Sequence, residues 1–404
     1  MPQKQQTNID NLKRGLAFAY RVGDYFENSV SDMIANTHLG VAKLGDNEEP
    51  SINTWYRVDI PKGLTGDGSE YYIYIKKGSP KNLLIFLSGG GVAWNSYTAA
   101  RPSSGGTITA GIPNFYWSNL RPFTQIMNIR SGITEDINPR NKFKNFSQVI
   151  ITYATGDLHV GNNDYEFKNS EGAYDVIHFH GYTNFRSAME MVKKYFKTPK
   201  RLLIAGDSAG AFAVPALAGE IVDDYYPKCE DITVLSDSGQ FLYDGWRDTV
   251  RDIWKAPDEL WQAITSDNIT VDWYRRLYNK YGDRFRYLYS SSTHDYLLSA
   301  YYNDVANKVF ASDKDIQAEF YEQMKVMLTQ LRQINPEFHF YINNFKNKMV
   351  MKSGMKGGTI HTNIRNLNFH LPNAEGVSME KWLYDALHDR CYDSGMSLVE
   401  CVYC

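Results

Sequence analysis

The 404-residue chain lacks the features that would carry it into or across a membrane. Its start, MPQKQQTNIDNLKRG, has no apolar stretch leading to a small-residue cleavage site, and no run of about 18 apolar residues occurs anywhere. That excludes a helical membrane span; taken as it stands, the sequence reads as cytoplasmic, and as secreted only if the start has been trimmed. Excess charge is also missing. With 43 basic and 46 acidic side chains the net charge is -3, so there is no basic surface for nucleic acid and no acidic tail. Small or neutral partners are the expectation. Cysteine is scarce, at Cys229, Cys391, Cys401 and Cys404. The terminal CVYC has the spacing of a zinc-ligand pair, but the second pair that a structural zinc site needs is missing. No metal is expected, and the terminal thiols read as free or locally paired. Internal repeats and low-complexity segments are absent too.

Aromatic residues, by contrast, are plentiful: 14 % of the chain, with 29 Tyr and 8 Trp. Many lie in polar stretches such as WYRRLYNKYGDRFRYLY, where rings suit either a substrate groove or the padding between helices. Short apolar runs alternate with longer helical patterns, the signature of an α/β sheet. The strand candidates are YYIYI (71–75), LLIFL (83–87), VIITY (149–153), RLLIA (201–205), ITVL (232–235), RFRYLY (284–289) and FHFYI (338–342). Runs that are apolar throughout imply burial on both faces, hence a mostly parallel sheet covered by helices. Apolar residues at three- and four-residue steps predict helices over 182–196 and over 316–331, the second behind a cap spanning Ser312 to Asp315. Residues 92–145 and 239–283 fit no strand-helix unit and are expected to be lid-like insertions shaping a cleft. Residues 1–54 read as a helical segment packed on a core domain of 55–404.

The stretch RLLIAGDSAGAFAVPALAG (201–219) holds a serine between glycines, after a buried strand and before a helix. This is the G-x-S-x-G pattern of a nucleophile elbow, in which the turn is so tight that side chains two positions either side of Ser208 would collide with neighbouring backbone. A serine hydroxyl is a weak nucleophile alone, so a base and an orienting acid must lie elsewhere. Chain order puts the acid after a later strand: Asp295 follows RFRYLY, while Asp237, in LSDSG, competes with it. The base should follow FHFYI. His361, behind the glycines of MKSGMKGGTIH that free its loop to fold over the elbow, leads His370. In LSGGGVAWN, three glycines end a buried strand, and the N–H groups of Gly90 and Gly91, with that of Ala209, would form an oxyanion hole.

The blocks LSGGGVAWN, ITYATGDLHVGN, HFHGYTNFRSAME, AGDSAGAFAVP, LSDSGQFL and HDYLLSAYY resemble, in order, those of the pectin acetylesterase / Notum family of carboxylesterases. The resemblance spans about residues 73–382. It implies an α/β-hydrolase fold, ester hydrolysis without a metal or cofactor, Ser208 as nucleophile, Asp295 as acid, His361 as base, and Gly90, Gly91 and Ala209 as the oxyanion hole. It also implies a small-molecule or carbohydrate ester as substrate. Where family members commonly carry cysteines, this chain has Val92 and Ala93, Ala154, Ile360 and Thr362, which points to a reducing compartment. The reading is a serine esterase that deacetylates a carbohydrate. Hydrolysis of longer acyl esters or lactones, an amide-cleaving variant, and a non-catalytic binding module on the same scaffold are the alternatives.

Overall fold

The computed structural model describes residues 41–109, 111–120, 128–169, 171–347 and 354–400. Of the helical segment expected over 1–54, residues 1–40 lie outside that range and the described part, 41–54, holds the short strand Ala42–Lys43 and turns but no helix; Cys401 and Cys404 also lie outside it. Among the described residues eleven strands form, and nine make one sheet in the order β1-β2-β3-β5-β4-β8-β9-β10-β11. They are β1 (Ala42–Lys43), β2 (Trp55–Leu64), β3 (Glu70–Lys76), β4 (Ser79–Leu87), β5 (Phe146–Ile151), β8 (Arg201–Asp207), β9 (Asp231–Asp237), β10 (Phe285–Ser292) and β11 (His339–Asn343). From β5 to β11 every neighbouring pair is parallel, and only β3 runs antiparallel to both its neighbours. The remaining two, β6 (Asn163–Lys168) and β7 (Tyr174–Phe179), form a separate antiparallel ribbon.

Each of the seven apolar runs marks a strand, though Thr152, Tyr153, Arg284 and Phe338 at the ends of three runs lie just outside β5, β10 and β11. Leu83 to Leu87, Leu202 to Ala205 and Val149 to Ile151 are at most 1 % exposed, as sheet strands covered on both faces must be. β2 and the ribbon escaped the sequence reading because polar residues interrupt them, as in WYRVDIPKGL and NDYEFK. The helices that matter for the site are α1 (Gly181–Tyr195), α2 (Ala209–Glu220), α3 (Ile269–Tyr281), α4 (Tyr296–Asn307), α5 (Lys314–Ile334) and α6 (Met379–Ala386). α1 lies against β2, β3 and β5, and α2 against β4, β8 and β9.

Two local details differ from expectation. The cap of α5 is Asp313, whose side chain accepts from the N–H groups of Asp315 and Ile316; the Ser312 hydroxyl is instead hydrogen-bonded to Ser299 and Gln317. Within 239–283, residues 269–281 are α3, with Trp273, Tyr274 and Leu277 fully buried beside α2. That part belongs to the helical layer, and its rings are packing residues. α2 contains Pro215, which cannot donate to the carbonyl of Ala211. Ser236 Oγ donates to that carbonyl at 2.6 Å and is itself hydrogen-bonded to Tyr274 at 2.6 Å, so the group freed by proline is satisfied.

Candidate active site

β8 ends at Asp207 and α2 begins at Ala209, leaving Ser208 as a one-residue turn with φ 52° and ψ -123°. A non-glycine residue is rarely held there, and the strain costs about 1–3 kcal/mol. The flanking glycines show why the turn tolerates nothing larger. A Cβ at Gly206 would lie 2.3 Å from the Gly210 carbonyl oxygen, and one at Gly210 would lie 1.9 Å from the Leu87 carbonyl oxygen. Ser208 is partly exposed, while almost everything beneath it is buried.

Asp295 lies just beyond β10 and caps α4. Its Oδ1 accepts from the N–H groups of Leu297 and Leu298 at 2.9 and 3.0 Å, and its Oδ2 lies 2.7 Å from His361 Nδ1. One fully buried carboxylate therefore fixes both a helix start and an imidazole. The other ring nitrogen, His361 Nε2, is buried with no hydrogen-bond partner among the described residues. Burial alone would pull this imidazole down, but the Asp295 charge and hydrogen bond, with Asp207 and Asp237 behind them, raise it above the usual histidine range. Ser208 Oγ has no hydrogen bond among the described residues, so serine and imidazole are not yet joined, as is common without substrate.

Asp237, the competing acid, does something else. Its carbonyl accepts the Ser208 N–H at 2.9 Å, and its Oδ2 accepts the N–H groups of Asn363 and Ile364 at 2.6 and 2.8 Å. The tip of β9 thus holds both the elbow and the segment following His361. A second tie is an ion pair that the sequence did not disclose. Arg365 binds Asp207 through two bonds of 2.7 Å, and the two side chains are only 8 % and 4 % exposed. Arg365 also donates to Asn128 at 2.7 Å. The glycines before His361 serve both freedom and close approach: Gly354, Gly357 and Gly358 all have positive φ, and a Cβ at Gly358, φ +75°, would lie 2.7 Å from the His294 carbonyl oxygen. There Thr359 and His294 exchange hydrogen bonds of 2.8 and 2.9 Å, binding the His361 and Asp295 loops together. His370 sits in the turn Leu367–His370 with Nδ1 3.0 Å from Glu380, where it joins that turn to α6.

The glycine loop after β4 runs against the elbow. A Cβ at Gly89 would lie 2.6 Å from the Ser208 Cβ, and the Gly89 N–H is used by Asp207 Oδ1 at 2.8 Å. The Gly90 and Gly91 N–H groups donate to no acceptor among the described residues. Gly91 has φ +82°, and a Cβ there would lie 2.0 Å from the Phe115 carbonyl oxygen, so only glycine fits. Ala209, first residue of α2, has an N–H with no intrahelical acceptor. His159, buried and pulled down by burial to about 4, holds the Ser88 carbonyl at 2.8 Å and steadies the strand end from which the glycines leave.

Comparison with known proteins bears on this arrangement. The pectinacetylesterase family model matches residues 61–271. The chain belongs to the pectinacetylesterase family. Membership places it among ester-cleaving hydrolases. A solved structure of the Wnt deacylase Notum from Drosophila matches with a TM-score of 0.53 at 16 % identity, over 84 % of this chain and 97 % of that one. At that identity the likeness establishes the fold, an α/β-hydrolase sheet with helical cover. A comparison with curated proteins found no match. The family match takes in Gly90, Gly91, Ser208 and Ala209 and stops before Asp295 and His361, whose pairing rests on geometry. Among the described residues no helix is long and apolar enough to cross a membrane.

Proposed function

We propose that this chain is a serine carboxylesterase that removes short acyl groups, acetyl above all, from a carbohydrate. The observation that carries the reading is the state of His361, with one nitrogen fixed by buried Asp295 and the other buried and unpartnered. A buried polar atom without a partner costs about 1–3 kcal/mol and calls for an explanation; a proton relay to the serine beyond the tip of β8 supplies one. In the first step Ser208 Oγ attacks the ester carbonyl carbon, its proton passes to His361 Nε2, and the negative oxygen is met by the N–H groups of Gly90, Gly91 and Ala209. The imidazolium gives that proton to the departing alkoxide as the carbon–oxygen bond breaks. Water then loses a proton to His361 and attacks the acyl-serine, releasing a carboxylic acid and restoring Ser208.

A short acyl group is favoured by the rings beyond the glycines. Trp94, Phe115, Phe241 and Tyr301 are each at most 6 % exposed and pack on one another with centroids 5.2–6.2 Å apart. The test has two arms. Intact-protein mass after a fluorophosphonate probe should show one adduct on the wild type and none on Ser208→Ala or His361→Ala. A series of p-nitrophenyl esters should peak at two to four carbons; a rise with every added methylene, up to about 0.8 kcal/mol each, would favour a long-chain substrate instead. An unlabelled wild type would refute the serine mechanism.

A further inference from the structure

The β6–β7 ribbon carries a constellation that ester hydrolysis does not use. Asp164 pairs directly across the ribbon with His178, and His180 stands two residues further on, so the alternation of side chains sets all three on one face. His178 Nδ1 and His180 Nε2 converge on the same oxygen, Asp164 Oδ1, at 2.6 and 2.8 Å. The three atoms all lie within 4.8 Å of one another. Two imidazoles are thus held against one carboxylate oxygen on a ribbon with six residue pairs in register, and these are the donor types that a transition-metal cation takes.

We propose that Asp164, His178 and His180 bind one divalent transition-metal ion, with zinc as the fitting representative. Two histidines and a carboxylate are a recognised zinc donor set that leaves a fourth position for water. Zn–N and Zn–O bonds of about 2.0–2.2 Å set the donors roughly 3.3 Å apart in a tetrahedron. Asp164 must therefore swing out by more than half an ångström from its present contacts, and its side chain, 60 % exposed, is free to do so. The histidine side chains are only 26 % and 20 % exposed, so the ion would be seated at the surface with its open position toward solvent. His178 is anchored by its N–H to the Gly66 carbonyl at 3.0 Å, and the Gly181 N–H, next to His180, by Asp157 Oδ2 at 2.7 Å.

The other face of the ribbon shows what the ion would brace. Tyr165 is hydrogen-bonded to Ser96 at 2.8 Å, and Phe179 packs on Trp254, whose indole donates to the Ala93 carbonyl at 2.9 Å. Ala93 and Ser96 lie in the segment that continues from the Gly90 and Gly91 loop. The ion is a structural clamp behind that segment, independent of the ester chemistry.

The test is equilibrium dialysis of tag-free, chelator-stripped protein against zinc chloride, with metal counted by plasma mass spectrometry, together with thermal unfolding with and without zinc. One zinc per chain is expected, with a midpoint that rises with zinc concentration. Asp164→Asn, which keeps the shape and one acceptor, and His178→Ala should each weaken binding about a hundredfold, since even outer partners of metal ligands account for 10–100-fold. His370→Ala should bind as the wild type does. Cobalt loading should give a tetrahedral visible spectrum that both ribbon variants lose. Absence of zinc at a hundredfold molar excess, or binding that survives unchanged in both ribbon variants, would overturn the proposal.

Discussion

Replacing Arg365 by methionine should destabilise the protein by about 3–5 kcal/mol, the cost of leaving one member of a buried ion pair without its partner. The magnitude follows from what the carboxylate would keep. Asp207 is 4 % exposed on its side chain and loses two charge-assisted bonds of 2.7 Å, retaining the Gly89 N–H at 2.8 Å. Methionine fills the space above the Phe86 ring, where the guanidinium carbon now lies 5.0 Å from the centroid, so a cavity is not the main cost. The discriminating variant is the double substitution Asp207→Asn with Arg365→Met, in which no charge is left buried. Urea unfolding of the wild type, both single variants and the double variant gives the coupling directly. The double variant should recover to within about 1–2 kcal/mol of wild type, as expected when a buried pair is replaced as a unit. A double variant no more stable than Arg365→Met would refute the reasoning, because the loss would then lie in contacts other than the stranded charge.

Three further outcomes follow from the same geometry. Asp295→Asn should lower kcat by about 10⁴, by setting the wrong imidazole tautomer. His361 must be neutral to accept a proton and is raised above the usual range mainly by Asp295 acting against burial. Residual activity in that variant should therefore persist to lower pH than wild-type activity, and an unmoved acid limb in the kcat/KM profile would count against the assignment. Burial pushes Asp237 up to about 6. A carboxyl raised in the folded state contributes stability that is full below about 4 and is lost as pH rises through about 6, here by roughly 3 kcal/mol. Asp237→Asn keeps an oxygen for the Asn363 and Ile364 N–H groups, so it should gain that amount relative to wild type between pH 4 and 6.5; parallel urea midpoints across that range would contradict it. Gly210→Ala sets a methyl 1.9 Å from a backbone oxygen of β4 and should abolish both labelling by fluorophosphonate and cooperative unfolding, which a soluble, labelled variant would disprove.

The sequence was legible where a single physical demand writes a local pattern. Strands covered on both faces must be apolar throughout, so LLIFL and RLLIA declare themselves, whereas WYRVDIPKGL mixes buried and exposed positions and does not. Ser208 was legible because a tight turn forces glycine at 206 and 210, and the clashes there are with backbone, which no rearrangement of side chains relieves. Asp295 was legible only through order along the chain, and its helix-capping duty was not. The same holds for Asp237: a carboxylate at a strand tip reads alike in sequence whether it orients an imidazole or, as here, holds the backbone beside it.

Pairs distant in sequence left no such pattern. Arg365 and Asp207 are 158 residues apart, and nothing local to either distinguishes a buried ion pair from two surface charges. Their contact exists because β8, β9 and the segment after β11 end on the same edge of a parallel sheet, so the residues just past each strand converge. That convergence also explains why three aspartates crowd the site without equivalence. Asp207 is neutralised by Arg365, Asp295 is turned toward His361, and Asp237 receives the N–H groups of Asn363 and Ile364 together with the Ser238 hydroxyl. Both Asp207 and Asp237 raise the imidazole from a distance, Asp207 ahead of Asp237. Asp295, the one carboxylate in direct contact with the ring, acts most among the three. Fixing the Ser208 turn, the histidine segment and the imidazole with separate carboxylates divides three tasks that one residue could not meet at once, and the division appears only when the strand ends are brought together.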